Sequence, residues 1–167
     1  MKRDLITLDD LSSAEIQDIL SLAAKLKKDK NLKTDHLSGK TVVLIFQKPS
    51  NRTRVSFEVG VYQLGGNCIY LGPEEINLGK RETTEDADKT LSRYVDCIVA
   101  RTFLHQDVVD LGKYASVPVI NGLSDLYHPC QAFADILTIQ EKLKQVTGVN
   151  VAYIGDGNNV CHSLMLI

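Results

Sequence analysis

The segment Ser50-Asn51-Arg52-Thr53-Arg54 follows the apolar run TVVLIF, residues 41–46, and leads into a helical pattern from about Thr53 to Leu64. Backbone N–H groups at a helix start lack intrahelical partners, and the helix dipole adds partial positive charge, so an anion is favoured there. Ser50 and Thr53 can donate hydroxyl hydrogen bonds, and Arg52 can grip a phosphate with two parallel N–H bonds. Together they describe a phosphate cradle built without the glycines of a P-loop. They equally describe an N-cap, by Ser50 or Asn51, with arginines on a solvated surface. Arg54 stands four residues before Glu58, the spacing of a helical ion pair, and belongs to the scaffold.

Other segments carry further candidates. Arg101 arrives at the end of the apolar stretch DCIVART, residues 96–102, where a charge needs a partner. His128 and Gln131 flank Pro129, a residue suited to the first turn of a helix. A histidine there polarises a carbonyl as a neutral donor or as a cation, and Gln131 both donates to and accepts from an amide; the alternative is a capped, half-buried histidine. GDGNN, residues 155–159, lacks the G-x-G-x-x-G spacing of a dinucleotide site. His36, His105 and His162 receive no role. No cluster has metal-ligand spacing and no serine or cysteine has an evident base, so neither a metal centre nor a covalent nucleophile is expected.

The elements that position these residues alternate along the chain. Ser12-Ser13-Ala14-Glu15 has capping-box spacing, and Ile16, Ile19, Leu20, Ala23 and Leu26 then recur at helical intervals to about Lys28. Strands are predicted at 41–46, 67–71, 96–102, 118–123 and 150–156. Helices are predicted at about 53–64, 84–94, 106–115 and 129–145. Short apolar, β-branched strands between amphipathic helices predict an α/β fold, a parallel β-sheet with helices on both faces in three layers. Ligands bind outside the carboxyl ends of the strands in such sheets, and every candidate above follows a strand.

Bulk properties narrow the partners. The chain of 167 residues is long enough for a proper core, and 44% apolar with 24% charged residues is globular usage. Net charge is −2 with both signs interspersed, so no basic face tracks a nucleic acid. No apolar run approaches the roughly 18 residues of a membrane span, and the amino terminus lacks the pattern of a signal peptide. A cytoplasmic location is expected. Cys68, Cys97, Cys130 and Cys161 are widely spaced, as reduced structural thiols would be.

Taken together, the segments resemble the aspartate/ornithine carbamoyltransferase family, and within it the ornithine-using members. F-x-K-x-S-x-R-T-R is present as Phe46, Lys48, Ser50, Arg52, Thr53 and Arg54, an Ala-Arg pair as Ala100-Arg101, and H-P-x-Q as His128 to Gln131; IGDGNNV, residues 154–160, resembles the ornithine enzymes. The resemblance implies transfer of a carbamoyl group from carbamoyl phosphate to the δ-amine of L-ornithine, giving L-citrulline and phosphate in arginine metabolism, without a cofactor. It implies that Ser50, Asn51 through its backbone, Arg52 and Thr53 hold the phosphate. Arg101, His128 and Gln131 would address the carbamoyl group, within a carbamoyl-phosphate site that also includes Pro129 and Cys130, with Arg101, His128 and Thr53 catalytic. Asn77 would be lent to a neighbouring subunit's site in a homotrimer, and Asn159 would touch ornithine. Asn51 departs from the family's usual threonine, which removes one hydroxyl and leaves the N–H.

Residues 1–147 are expected to form a carbamoyl-phosphate-binding domain, the first of the family's two, and residues 148–167 to begin a truncated ornithine-binding domain, leaving this chain inactive alone. The other readings are a carbamoyltransferase for aspartate or putrescine, a non-catalytic phosphate-binding module, and a structural assembly domain.

Overall fold

Runs of β-branched apolar residues and amphipathic segments alternate, and each pair builds one strand and one helix. The computed structural model describes residues 2–28, 34–76 and 83–167. The elements in chain order are α1 (Ser13–Lys28), β1 (Thr41–Phe46), α2 (Asn51–Gln63), β2 (Asn67–Leu71), α3 (Thr84–Leu91), β3 (Cys97–Arg101), α4 (His105–Tyr114), β4 (Val119–Leu123), α5 (Pro129–Leu143) and α6 (Asn159–Leu166). The capping box forms as predicted. Ser12 Oγ accepts from the Glu15 N–H at 3.3 Å, and Glu15 Oε2 accepts from the Ser12 N–H at 2.8 Å.

The four strands are parallel in the order β2-β1-β3-β4. Successive residues of β1 point to opposite faces. Val43 and Ile45 pack with Val108 and Leu111 of α4, whereas Val42, Leu44 and Phe46 pack with Val61 of α2. Burial on both sides is why TVVLIF reads as an unbroken apolar run. The chain leaves β1 towards β2 and returns on the other side as β3, so the strand order reverses between β1 and β3. Phe46 and Arg101 are register partners at the carboxyl ends of these two strands. A reversal of this kind opens the crevice in which α/β sheets bind ligands.

Between β3 and β4 the register slips at its end. Ala100 pairs with Asn121 but Arg101 pairs with Leu123, leaving Gly122 as the extra residue. A Cβ on Gly122 would lie 3.2 Å from Ala100 O and 3.3 Å from Val99 Cγ1, so a larger residue would push the strands apart beside Arg101.

The strand predicted at residues 150–156 does not form. These residues form no strand pairing among the described residues, and Ile154 is 98% exposed. The position beside β4 is occupied instead by the amino-terminal segment. The Leu5 N–H donates to Val119 O at 2.9 Å, the Asn121 N–H donates to Leu5 O at 2.8 Å, and Asp4 Oδ1 accepts from the Val119 N–H at 2.7 Å. With that edge filled, the 150–156 segment does not extend the sheet beside β4. Helix ends differ by a few residues from expectation: α2 begins at Asn51, and α3 stops at Leu91 because the Arg93 and Tyr94 N–H groups bond back three residues in tight turns.

One buried charge stands apart from the site. Asp88 on α3 is fully buried, and neither carboxylate oxygen has a hydrogen-bond partner among the described residues. Burial raises its pKa from 3.8 to about 7, opposed by Lys2 and reinforced by Asp110. The folded chain thus holds a proton that the unfolded chain releases near 3.8, and this group's stability contribution falls as pH rises from about 4 to 7. Asp88→Asn is therefore expected to melt above wild type at about pH 8 and to lose that advantage by about pH 4, measured by thermal unfolding across pH. An advantage that does not change with pH would show that Asp88 does not titrate in this window.

Candidate functional site

Two helix starts face each other at the reversal. Arg52, Thr53, Ser56 and Phe57 of α2 and Cys130, Gln131 and Ala134 of α5 line a cleft of about 250 Å³, completed by Gly122 and His128. A surface depression of about 770 Å³ at the carboxyl ends of α3 and α4, lined by Lys89, Arg93, Tyr94 and Tyr114 among others, contains none of the predicted site residues. Its cations complement the partial negative charge of helix carboxyl ends, a structural role that needs no ligand.

Ser50 holds the N-cap position of α2 with extended backbone, φ −159° and ψ 112°, yet its side chain bonds no N–H of the helix. The first turn contains no acidic residue, although carboxylates are favoured there. The helix start therefore keeps its positive character, with the Ser50 hydroxyl not spent on capping. Asn51 is the first helical residue, exposed beside Arg52. Arg54 pairs with Glu58 at 2.9 Å and lies over the Tyr70 ring at 3.7 Å, the scaffold role expected of it.

Arg101 is delivered to this start by β3. Its Nη1 donates to Thr53 Oγ1 at 3.2 Å, and its Nε is buried without a hydrogen-bond partner. No carboxylate pairs with it among the described residues, and burial lowers its pKa below the ordinary arginine value. Lys48 lies close enough to be affected. Burial and then the Arg101 charge lower its pKa, with Asp125 opposing, and its Nζ stands 5.4 Å from the Phe103 ring centre. Sequence reasoning quoted Lys48 in a motif without giving it a role; its signal was its place two residues before Ser50.

His128 is the N-cap residue of α5, and Pro129 stands in the first turn as its spacing predicted. The imidazole makes no capping bond, and its Nδ1 is buried without a partner. Its pKa is lowered from 6.5 to about 4, first by burial and then by Arg101, with Asp135 opposing and Lys48 adding. At neutral pH the ring is uncharged. Gln131 Nε2 donates to Asp135 Oδ1 at 2.9 Å. Cys130 Sγ donates to Asn121 O at 3.6 Å, and burial pushes its thiol up to about 11, which makes it a packing residue.

The loops around the cleft are tied together. The Gln47 N–H donates to Arg101 O at 2.9 Å, and its side chain donates to Asp107 Oδ2 at 3.0 Å and accepts from the Phe103 N–H at 2.6 Å. Two histidines without a predicted role brace the 124–128 loop. His105 Nδ1 lies 2.9 Å from Ser124 Oγ with its ring edge-on to Tyr127, and His162 Nδ1 lies 3.0 Å from Leu126 O. Asn159, in the first turn of α6, is outside the cleft lining and donates through Nδ2 to Ser124 O at 2.6 Å. Asn77 lies outside the described residues. Among the described residues, no group of three or more His, Cys, Asp or Glu is placed to hold a metal ion, and no helix is long and apolar enough to cross a membrane.

Residues 3–141 match the family model described as the aspartate/ornithine carbamoyltransferase carbamoyl-P binding domain. The chain is 55% identical over 166 residues to an ornithine carbamoyltransferase of Pyrococcus horikoshii, covering 98% of this chain and 52% of that one. It is 54% identical over 164 residues to that of Bacillus subtilis, covering 98% and 51%. The solved ornithine carbamoyltransferase from Pyrococcus furiosus superposes with a TM-score of 0.96 at 54% identity, over 98% of this chain and 53% of that chain. The chain thus spans about half the length of the curated relatives it matches.

Arg101→Gln should raise the His128 midpoint from near 4 towards 6.5, because it removes the largest charge that opposes imidazole protonation. An NMR titration of the imidazole reads this directly. A midpoint that stays near 4 would show that the Arg101 charge does not set the depression.

Proposed function

We propose, from the premise that this chain belongs to the aspartate/ornithine carbamoyltransferase family, that it supplies the carbamoyl-phosphate side of an ornithine carbamoyltransferase. The observation that carries the reading is the set of cations around the start of α2: burial and then the Arg101 charge depress the pKa of both Lys48 and His128, and no carboxylate pairs with Arg101 among the described residues. A dianionic phosphate placed there reverses that repulsion, while a neutral ligand does not.

In this reading the phosphate oxygens lie on the N–H groups at the start of α2, including that of Asn51, with the Ser50 and Thr53 hydroxyls and the Arg52 guanidinium around them. The carbamoyl oxygen faces Arg101 and a neutral His128. Because Gln131 Nε2 is held by Asp135, its Oε1 is free to accept from the carbamoyl amide. Attack by the δ-amine of L-ornithine builds negative charge on the carbonyl oxygen, and expulsion of phosphate moves that charge onto the leaving group. Fixed cationic donors at both places lower the barrier. With a pKa of about 4, His128 is too weak a base to hold the amine's proton at neutral pH, which leaves the departing phosphate as acceptor.

The proposal extends to Asn159 as an ornithine contact, to a domain boundary near residue 147, and to a cytoplasmic, arginine-forming role. Exposure of residues 151–158 and four free thiols support the second and third of these points. It also includes a homotrimer. β2 is an edge strand, and Val55 and Val59, one turn apart on the neighbouring α2, are 56% and 46% exposed, an apolar strip suited to a second copy of the chain.

Calorimetry with carbamoyl phosphate tests the site. Wild type should bind, and Arg52→Ala should weaken binding by about 10-fold or more; absence of binding by wild type would overturn the assignment. In a catalytically complete enzyme bearing these residues, Arg101→Ala should lower kcat by about 10²–10³, and a kcat within about twofold would remove Arg101 from the chemistry. Light scattering should give the mass of three copies, and a monomer with Val55 and Val59 both replaced by Glu.

A further inference from the structure

A helix with a glutamine three residues after its N-cap can close on itself, the glutamine side chain reaching back to the N-cap N–H. α5 has the residue but not the bond. Gln131 stands in that position and donates to Asp135, while the His128 N–H donates to Ser163 Oγ at 2.8 Å, 35 residues further along the chain. Ser163 lies on α6 and is fully buried. A hydroxyl buried there without a partner would be costly, so the bond fixes both of its ends. The same helix holds the preceding loop through Asn159 on Ser124 O and His162 beside Leu126 O.

We propose that Ser163 is a positioning residue: by accepting the His128 N–H from another helix, it sets the direction of the imidazole in the cleft and leaves Gln131 free to face the ligand. Only the identity of that ligand rests on the function proposed above; the juxtaposition of Ser163 and His128 does not. The consequence is that α6, which lines none of the cleft, determines where His128 points. A displacement of α6 moves a site residue without touching substrate.

The test compares wild type with Ser163→Ala, Ser163→Thr, Ser163→Cys and a distant core variant, Val108→Ala, whose side chain is buried between α4 and the sheet. Each is measured by NMR titration of the His128 imidazole, by calorimetry with carbamoyl phosphate, and by thermal unfolding. Ser163→Ala should raise the His128 midpoint by about one pH unit or more and weaken binding by about 10-fold. Ser163→Thr, which keeps the hydroxyl, should retain both, and Val108→Ala should lower Tm while leaving both unchanged. If Ser163→Ala does not fold, Ser163→Cys, similar in size with a weaker acceptor, decides by the same midpoint. A wild-type midpoint in Ser163→Ala, or in Ser163→Cys where the alanine variant does not fold, or an equal shift in Val108→Ala, overturns the proposal. Failure of wild type to bind carbamoyl phosphate would sink the function proposed above, and the midpoint would still decide the role of Ser163.

Discussion

A guanidinium at the end of a buried strand, with no carboxylate paired with it among the described residues, is the constraint around which the rest of the site is arranged. Arg101 reaches the crevice because β1 and β3 are neighbours whose chains depart in opposite directions, and it meets the start of a helix that is itself positive. Ordinary stabilisation would have placed an aspartate there. Burial and then the Arg101 charge depress both Lys48 and His128, and two nitrogens, Arg101 Nε and His128 Nδ1, are buried without partners among the described residues.

The cost is spread over several local departures from good folding practice. An unused side-chain N-cap forgoes about 1 kcal/mol, and both α2 and α5 begin without one. The sheet and its two apolar faces offset these losses, as expected where function overrides local preference. Acid acts on the two strongest departures in opposite senses. Neutral, buried His128 contributes stability above pH 6.5 that is lost as pH falls towards 4, whereas Asp88 loses stability as pH rises from about 4 to 7. Across the shared interval the two slopes oppose each other.

Periodicity and punctuation carried most of the fold into the sequence. The capping box at Ser12, the Pro129 start of α5 and four largely apolar strands were legible because each is a local pattern. NVAYIGD misled for the same reason: its alternation suits a strand, but a strand also needs a partner, and the place beside β4 is held by Leu5. Nothing periodic marks KRDLITL as the segment that would do so. Within the site, Thr53, Arg101 and the His128–Gln131 turn were visible as chemistry following a strand. Lys48 and Ser163 were not, since one acts through the field of a residue far along the chain and the other through a backbone amide.

The pairing of Leu5 with β4 has a temporal side. Its bond to Val119, like that of Asp4, joins the first residues of the chain to the last strand of the sheet. Closing so long a loop is entropically slow, and the amino-terminal segment leaves the ribosome well before its partner exists. Until β4 is in place, the segment has no ladder to join, and until the segment arrives, β4 presents an open edge. Residues made well before β4 are thus among the last to find their place, and they cover the β4 edge of the sheet.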